Sequence, residues 1–362
     1  MQTRYKKITV KVGSNVLAKS DGTLNVARIA HLVDQIAHLQ KNGVEVVLVS
    51  SGAVAAGRAV MKETKKSDAV SQRQLWAALG QVKLISRYSD FFHEEGLTCA
   101  QVLTTKENFS SRRHYLNMKN CITTLLENKV IPIVNENDTI SVTELMFTDN
   151  DELSGLIASM VDSEALIILS NVDGVYSAHP ENHDAKLIER IELEERELQD
   201  VISSEQSNFG RGGMLTKFRI AKKVAGDGIA VHVANGTTEN VLIDLVDQNK
   251  RLTHTYFVPG RKTSSGVKKW IGYSDGFAKG EVVINEGAVK ALTSAKAVSL
   301  LPVGITRIDR EFKKGDLIKI VNETGETIGL GKAGYGSERI EKERASVKQK
   351  PVVHYDYLYL GN

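Results

Sequence analysis

The sequence is poor in cysteine, and this scarcity excludes sites built from clustered thiols. It has 2 cysteines in 362 residues, Cys99 and Cys121, each in an apolar context and without C-x-x-C spacing. Zinc sites need several such ligands at short spacing. We therefore expect two buried thiols in a reducing compartment and no metal site made of cysteine.

Long apolar runs are missing as well. No segment is apolar over the length that crosses a bilayer, and residues 1–7 lead directly into a predicted strand with no signal peptide before it. We expect a cytoplasmic protein with no membrane partner.

The sequence has neither an excess of one charge nor many aromatic side chains. Its 47 Lys and Arg stand against 44 Asp and Glu, a net charge of +3, and aromatic residues make up 6%. Both values count against a protein that binds nucleic acid over its whole surface. With 41% apolar residues, a chain of this length predicts two domains or one large one.

The two common nucleotide fingerprints are absent, but another glycine-rich segment is present. Residues 209–217 read Phe-Gly-Arg-Gly-Gly-Met-Leu-Thr-Lys, which matches neither G-x-x-x-x-G-K-[ST] nor G-x-G-x-x-G. A helix follows, marked by Phe218, Ala221 and Ala225. Backbone donors, a helix N-terminus and Lys217 as a movable cation suit a polyphosphate. A flexible loop without a ligand is the alternative.

Apolar runs of strand length alternate with helical patterns through most of the chain. Asn25 has the character of a helix N-cap, and Leu75, Leu79 and Val82 mark another helix by their spacing. This alternation predicts an α/β fold with a mainly parallel sheet. The predicted strands are residues 8–12, 44–49, 97–103, 130–134, 165–169 and 229–234.

Polar residues stand where several of these strands end. Residues 135–138, Asn-Glu-Asn-Asp, follow one strand, and residues 148–151, Thr-Asp-Asn-Asp, begin a helix with an apolar face from Leu153 to Val161. Turns and caps explain either cluster alone. Together they indicate a ligand site, because ligands of α/β sheets bind outside the carboxyl ends of strands.

Two further strand ends have the composition of binding turns. Lys11 ends the first strand beside Gly13, and an ammonium group next to backbone N–H groups makes an anion site. An edge-strand charge is the alternative. Residues 50–53, Ser-Ser-Gly-Ala, follow the second strand, where small residues let a ligand approach the backbone. A tight turn without a ligand explains them equally well.

The composition changes near residue 260. Residues 259–269 are polar and basic, as in a linker, and short β segments separated by glycine turns follow. We predict domains at residues 1–258 and 270–356, joined by this linker. The second domain should be a small β-rich barrel.

The order of these motifs resembles that of the amino acid kinase family. Lys-x-Gly, Ser-Ser-Gly-Ala, Asn-Glu-Asn-Asp, Asp-Asn-Asp and Gly-Gly-Met-x-Thr-Lys occur in that order, and the match covers residues 8–354. Residues 268–271, 283–288 and 299–305 resemble the opening segments of a PUA domain. The resemblance implies an α/β/α sandwich with a mainly parallel sheet, followed by a small PUA barrel.

Within that family the chain resembles the branch that phosphorylates the γ-carboxylate of L-glutamate with ATP, the first step of proline biosynthesis. The resemblance implies that Lys11 and Lys217 contact the transferring phosphoryl group and that Asp151 orients them. The residues implied in glutamate binding are Ser51, Asp138 and Asn150. Those implied in ATP binding are Lys11, Ser170, Asn171, Arg211, Gly212, Gly213, Met214, Leu215, Thr216 and Lys217.

Two positions depart from the family pattern on the nucleotide side. Ser170 and Asn171 stand where the family usually has Thr-Asp, and Arg211 stands where a small residue is common. We expect these departures to affect nucleotide contacts, whereas the glutamate side matches the family.

The implied chemistry needs no general base. A side-chain carboxylate, with an ordinary pKa of about 4.3, is ionised at neutral pH, and none of the motifs contains histidine. Catalysis should then rest on positioning and charge neutralisation. We expect Mg²⁺ as a cofactor, held mainly by the ATP phosphates and water, and assign it no protein ligand.

Other functions stay open at this point. One is a kinase of the same fold that acts on aspartate, N-acetylglutamate or UMP. Another is an RNA-binding regulatory protein acting through the PUA-like domain, which the basic linker supports. The resemblance also implies proline as a feedback inhibitor, and we expect a homo-oligomer.

Overall fold

The structure, a computed structural model, describes residues 1–61, 68–141, 150–178, 182, 184–193, 214–261, 266–294, 297–346 and 349–360. The chain divides into two compact units. The first consists of residues 1–108 and 116–262, and the second of residues 109–115 and 263–362. The division at residue 262 falls inside the predicted linker, and the predicted domain limits themselves stay a prediction.

An eight-stranded sheet forms the centre of the first unit. Its strands are β1 Lys7–Val12, β2 Glu45–Ser50, β3 Thr98–Thr104, β4 Val130–Glu136, β5 Ala165–Ser170, β6 Arg190–Ile191, β7 Ala230–Asn235 and β8 Thr255–Phe257. Their spatial order is β3-β4-β2-β1-β5-β7-β8-β6, and among these strands only β7 and β8 pair antiparallel. The predicted mainly parallel sheet is confirmed, and every strand predicted for it forms.

Helices connect these strands, and their ends follow the expected cap chemistry. The side chain of Asn25 accepts a hydrogen bond from the backbone N–H of Arg28 at 3.2 Å, and Gly43 follows the helix with φ +83°. The helices are α1 Ser14–Leu17, α2 Val26–Lys41, α3 Ala53–Val60, α4 Ala69–Glu94, α5 Arg112–Glu127, α6 Asn150–Met160, α7 Met214–Gly226 and α8 Val241–Val246. The first turn of α5 belongs to the second unit.

Strand β1 lies in the middle of the sheet, between β2 and β5. Its apolar side chains have no exposed surface, as expected where helices cover both faces of a parallel sheet. Because parallel strands end at the same edge, Lys11, Ser50 and Ser170 come to the same side of the sheet. This carboxyl edge is where the polar motifs of the sequence lie.

Helices α3 and α4 pack in backbone contact. A Cβ atom added to Gly57 would lie 1.8 Å from the carbonyl oxygen of Trp76, and one added to Gly80 would lie 1.7 Å from that of Ala53. No side chain fits at either position. Because α3 begins just after β2 ends, this packing fixes α4 beside the carboxyl edge of the sheet.

The second unit is built on a smaller β-sheet. Its strands are β9 Gly280–Ile284, β10 Ile305–Arg310, β11 Leu317–Asn322, β12 Thr327–Ala333 and β13 Val353–Leu360, in the order β10-β9-β11-β12-β13. Its helices include α9 Gly266–Gly272, α10 Glu286–Leu292 and α11 Ile340–Arg344. Buried apolar residues of the strands and helices form one core. The predicted β-rich C-terminal region is confirmed.

The last part of the predicted linker is helical. Helix α9 begins at Gly266, and the side chain of Lys269 is only 2% exposed. The indole N–H of Trp270 donates to the carbonyl oxygen of Phe109 at 2.8 Å, within the second unit. Its basic composition predicted a linker, but the helix buries Lys269. Composition alone does not show this, because the burial of a long lysine side chain depends on tertiary packing.

The two cysteines are more exposed than their apolar sequence context indicated. The expectation of two buried thiols is wrong, because Cys121 lies on the exposed side of α5 and Cys99 is only half-buried in the edge strand β3. In the part of the chain that the structure describes, no helix is long and apolar enough to cross a membrane.

We expect Gly80→Ala to destabilise the first unit by about 1–3 kcal/mol, because the added methyl group forces α3 and α4 apart. Urea unfolding measures this difference. The control is Ala78→Ser on the exposed side of α4, which should change stability by less than about 0.5 kcal/mol. Equal unfolding midpoints for the two variants would contradict the backbone contact described above.

Candidate active site

A buried carboxylate joins two lysines at the carboxyl edge of the sheet. Asp151, in the first turn of α6, has no exposed surface. Its Oδ1 lies 2.5 Å from Nζ of Lys11 in β1, and its Oδ2 lies 3.0 Å from Nζ of Lys217 in α7. The two lysine side chains are only 6% and 14% exposed. The structure thus brings together the three residues predicted to be catalytic.

The charge state of Asp151 follows from its burial and from these two cations. Burial raises the pKa of its carboxyl group, whereas the charges and hydrogen bonds of Lys11 and Lys217 lower it, and the net direction is downward. Asp151 is therefore ionised at neutral pH. One negative charge then faces two ammonium groups, and the remaining positive charge favours an anionic ligand.

Asn150, the residue before Asp151, organises a second group of side chains. Its amide nitrogen donates to the hydroxyl oxygen of Ser51 at 2.8 Å and to the carbonyl oxygen of Ser50 at 3.2 Å. It also donates to the side-chain oxygen of Asn135 at 3.0 Å. These bonds tie the start of α6 to the ends of β2 and β4.

Sequence analysis missed Asn135 and the polar side of α4. Asn135 is the first residue of the Asn-Glu-Asn-Asp cluster, so its place at a strand end was a signal that pointed to it. On α4, Nη2 of Arg73 lies 2.9 Å from Oδ1 of Asp138, and the amide of Gln74 donates to the carbonyl oxygen of Thr139 at 2.8 Å. Apolar spacing identified this helix but gave no sign of these contacts.

The turn after β1 contributes less than its sequence indicated. The backbone N–H of Gly13 donates to the carbonyl oxygen of Leu169 at 3.3 Å. This donor is therefore used within the sheet, and the attraction for an anion at this turn rests on the ammonium group of Lys11.

The residues assigned to ATP are described in part. Ser170 is buried at the end of β5, and its hydroxyl donates to the side-chain oxygen of Asn171 at 3.4 Å. Residues 214–217 form the first turn of α7. Outside the described residues are Arg211, Gly212 and Gly213, together with residues 148 and 149 of the second polar cluster.

We expect Asp151→Asn to destabilise the protein by about 3–5 kcal/mol, because two buried ammonium groups lose their counter-charge. A carboxyl group with a lowered folded-state pKa stabilises the fold above its unfolded-state pKa, and this contribution is lost as pH falls through the folded-state value. The stability difference between parent and variant should therefore be constant between about pH 5 and pH 8 and shrink only in stronger acid.

The control for this variant is Asp162→Asn. Asp162 pairs with Lys119 at 2.9 Å, but both side chains are substantially exposed, so the loss should stay below about 1 kcal/mol. Chemical denaturation across the pH range checks both variants. If Asp151→Asn matched the control, the buried pair would have no part in holding the fold together.

Family profiles and curated relatives match the chain over almost its whole length. The amino acid kinase family matches residues 6–235, and the PUA domain matches residues 280–352. The chain is 57% identical to glutamate 5-kinase of Bacteroides thetaiotaomicron over 360 residues, 99% of this chain and 100% of that protein. It is 47% identical to glutamate 5-kinase of Chlorobaculum tepidum over 357 residues, 98% of each.

A solved structure shares the fold. Carbamate kinase from Giardia lamblia bound to AMP-PNP matches with a TM-score of 0.51 and 18% identity, over 72% of this chain and 100% of that one. At this identity the likeness shows the fold alone. The full-length identity to the curated relatives is far higher. The chain therefore belongs to the glutamate 5-kinases, a branch of the amino acid kinase family.

Proposed function

We propose that the chain transfers the γ-phosphoryl group of ATP to the γ-carboxylate of L-glutamate, giving L-glutamyl 5-phosphate, the first step of proline biosynthesis. The observation that carries this proposal is the pair of consecutive residues at the start of α6. Asn150 bonds to Ser51, on the side proposed for glutamate, and Asp151 holds Lys11 and Lys217, on the side proposed for phosphate. The two substrates would therefore meet across one helical turn.

Charge neutralisation is the main task in this reaction. A glutamate carboxylate oxygen attacks the γ-phosphorus, a new O–P bond forms, and the bond to the leaving ADP oxygen breaks. Both reactants are anions, so the ammonium groups of Lys11 and Lys217 reduce their repulsion and stabilise the charge on the transferring group. Mg²⁺, bound together with ATP, would supply further positive charge there. The carboxylate is already ionised, so no side chain needs to remove a proton.

Binding roles for the remaining residues follow from the same arrangement. Ser51, Asp138 and Asn150 would hold glutamate. Ser170, Asn171 and the segment 211–217 would hold ATP, with Lys11 on its phosphates. Asn171 and Arg211, where the chain departs from the family pattern, would then set contacts to the nucleotide.

Proline inhibition, self-association and RNA binding are finer proposals. Proline shares the ammonium and carboxylate of glutamate, so it would compete for the same site, and saturating glutamate should relieve its effect. The homo-oligomer, the cytoplasmic location and RNA binding through the PUA domain stay predictions from the sequence.

The substrate is tested by ADP release in the presence of ATP, Mg²⁺ and one acceptor at a time. We expect L-glutamate to support turnover well above that with aspartate, N-acetylglutamate or UMP, because the relatives that match the full chain are glutamate 5-kinases and Asp138 offers a partner for a free ammonium group. A higher kcat/KM with any other acceptor would reject the proposed function.

We expect Lys217→Ala to lower kcat by about 10²- to 10³-fold with little change in KM for glutamate, because its ammonium group acts on charge that develops in the transition state. Lys217→Arg should restore only part of the rate, since a planar guanidinium replaces a compact charge. Arg219→Ala, exposed on the same helix, is the control and should keep the parent rate. A kcat within a few-fold of the parent in Lys217→Ala would rule out this role.

A further inference from the structure

Helix α4 borders the glutamate side of the site and is bonded to it. The amide of Gln74 donates to the carbonyl oxygen of Thr139, in the segment that follows β4. The amide of Asn135 donates to the side-chain oxygen of Gln81 at 3.1 Å. Asn135 is also bonded to Asn150, so α4 reaches the side chains proposed to hold glutamate.

Arg73, near the start of α4, places a guanidinium group beside Asp138. Its Nη2 lies 2.9 Å from Oδ1 of Asp138, whose side chain is 11% exposed against 42% for the arginine. The Nε atom of Arg73 is buried and has no hydrogen-bond partner among the described residues. A buried donor without a partner costs free energy, and such groups in native proteins are normally satisfied by protein, water or ligand. A carboxylate ligand that contacted Arg73 would satisfy this N–H.

The two charges match the head group of an α-amino acid. Such a head group carries an ammonium and a carboxylate on one carbon atom. A carboxylate such as that of Asp138 accepts hydrogen bonds from an ammonium, and a guanidinium such as that of Arg73 donates through a planar fork that fits a carboxylate. Asp138 thus has the chemistry to bind the ammonium of the zwitterion, and Arg73 has the chemistry to bind its carboxylate.

We propose that Arg73 binds the α-carboxylate of the amino acid substrate, through a fork that includes its Nε–H, while Asp138 binds the α-ammonium. This inference rests on the proposed function and adds a residue to it. The head group would be fixed by α4 and the segment after β4, which leaves the side-chain carboxylate to face Lys11 and Lys217. An acceptor without a free ammonium, such as N-acetylglutamate, would leave Asp138 facing a neutral amide.

A different role for Arg73 would be to hold Asp138 in place without touching the substrate. Two truncated substrates separate these roles. Glutarate keeps both carboxylates and lacks the ammonium, whereas 4-aminobutyrate keeps the ammonium and the reacting carboxylate and lacks the α-carboxylate. If Arg73 binds the α-carboxylate, its removal should weaken the binding only of ligands that carry this group, glutamate and glutarate.

The experiment compares glutamate, glutarate and 4-aminobutyrate on the parent, Arg73→Ala and Arg73→Lys. We expect Arg73→Ala to lower kcat/KM about 10- to 10²-fold for glutamate and glutarate and less than about 3-fold for 4-aminobutyrate. Where an analogue is not turned over, its inhibition constant against glutamate is compared instead. Arg73→Lys keeps the positive charge but lacks the planar fork of the guanidinium group. Its kcat/KM for glutamate should lie between those of the parent and Arg73→Ala.

The matched control is Arg87→Ala, on the same helix. Arg87 lies 3.9 Å from Asp90 in an exposed pair, so its loss should leave all three ligands unaffected. Because Arg73 is also partly exposed, its variants should unfold at the parent's denaturant midpoint, which is measured beside the kinetics. Arg73→Lys provides the same comparison if Arg73→Ala fails to fold.

Two results would overturn the proposal. If Arg73→Ala lowered kcat/KM equally for glutamate and 4-aminobutyrate and not at all for glutarate, Arg73 would act only by positioning Asp138. If kcat/KM of Arg73→Ala stayed within a few-fold of the parent for all three ligands, the ion pair of Arg73 with Asp138 would have no role in substrate binding. Calorimetric titration of the parent and Arg73→Ala with glutamate gives the same comparison without turnover, so failure of the proposed reaction is distinguishable from failure at Arg73.

Discussion

The charge balance around Asp151 is the constraint on which the first unit depends. A buried carboxylate is costly unless it is paired, and the same holds for the two buried ammonium groups beside it. Strand β1, helix α6 and helix α7 each supply one of these charges, from distant parts of the sequence. Loss of any one of these charges would leave the others unbalanced at the carboxyl edge of the sheet. The stability of the sheet and the geometry of the site are therefore coupled.

Backbone geometry then sets the distance between the two halves of the site. Asn150 and Asp151 are neighbours in the first turn of a helix, so their separation is fixed by the helix and not by flexible side chains. Phosphoryl transfer is sensitive to such positioning, because the attacking and leaving oxygens must be nearly in line. The backbone contact of α3 with α4 adds a second rigid boundary on the side proposed for glutamate.

The sequence predicted the central strands because each is a short run of β-branched and aliphatic residues that is buried on both faces. Strands β6 and β8 were missed because two or three residues carry no periodic signal. Lys11, Ser51 and Asp138 stand at or just after strand ends, whereas the roles of Asp151 and Lys217, at the starts of helices, were implied by the family resemblance. Arg73 was not predicted, because its partner lies far along the chain and the pairing exists only in the folded structure.

Helix α4 shows where apolar pattern misleads. Leu75 and Val82, which marked the helix, are exposed, the latter by 68%. Its buried face consists instead of Ala77, Gly80 and Leu84, followed by Tyr88 and Phe92. Close packing against another backbone selects small residues, which a hydrophobic pattern undervalues. In the same way, composition gave no sign that Lys269 would be buried or that Cys121 would be exposed.

The second unit takes in residues 109–115, although the rest of it begins at residue 263. The chain therefore passes between the units after residues 108, 115 and 262. During translation, residues 109–115 leave the ribosome long before residues 263–362. The hydrogen bond from the indole of Trp270 to the carbonyl group of Phe109 can form only after Trp270 has been synthesised. Exchange of the C-terminal domain by gene fusion would break this arrangement, so the two parts of the gene are expected to evolve together.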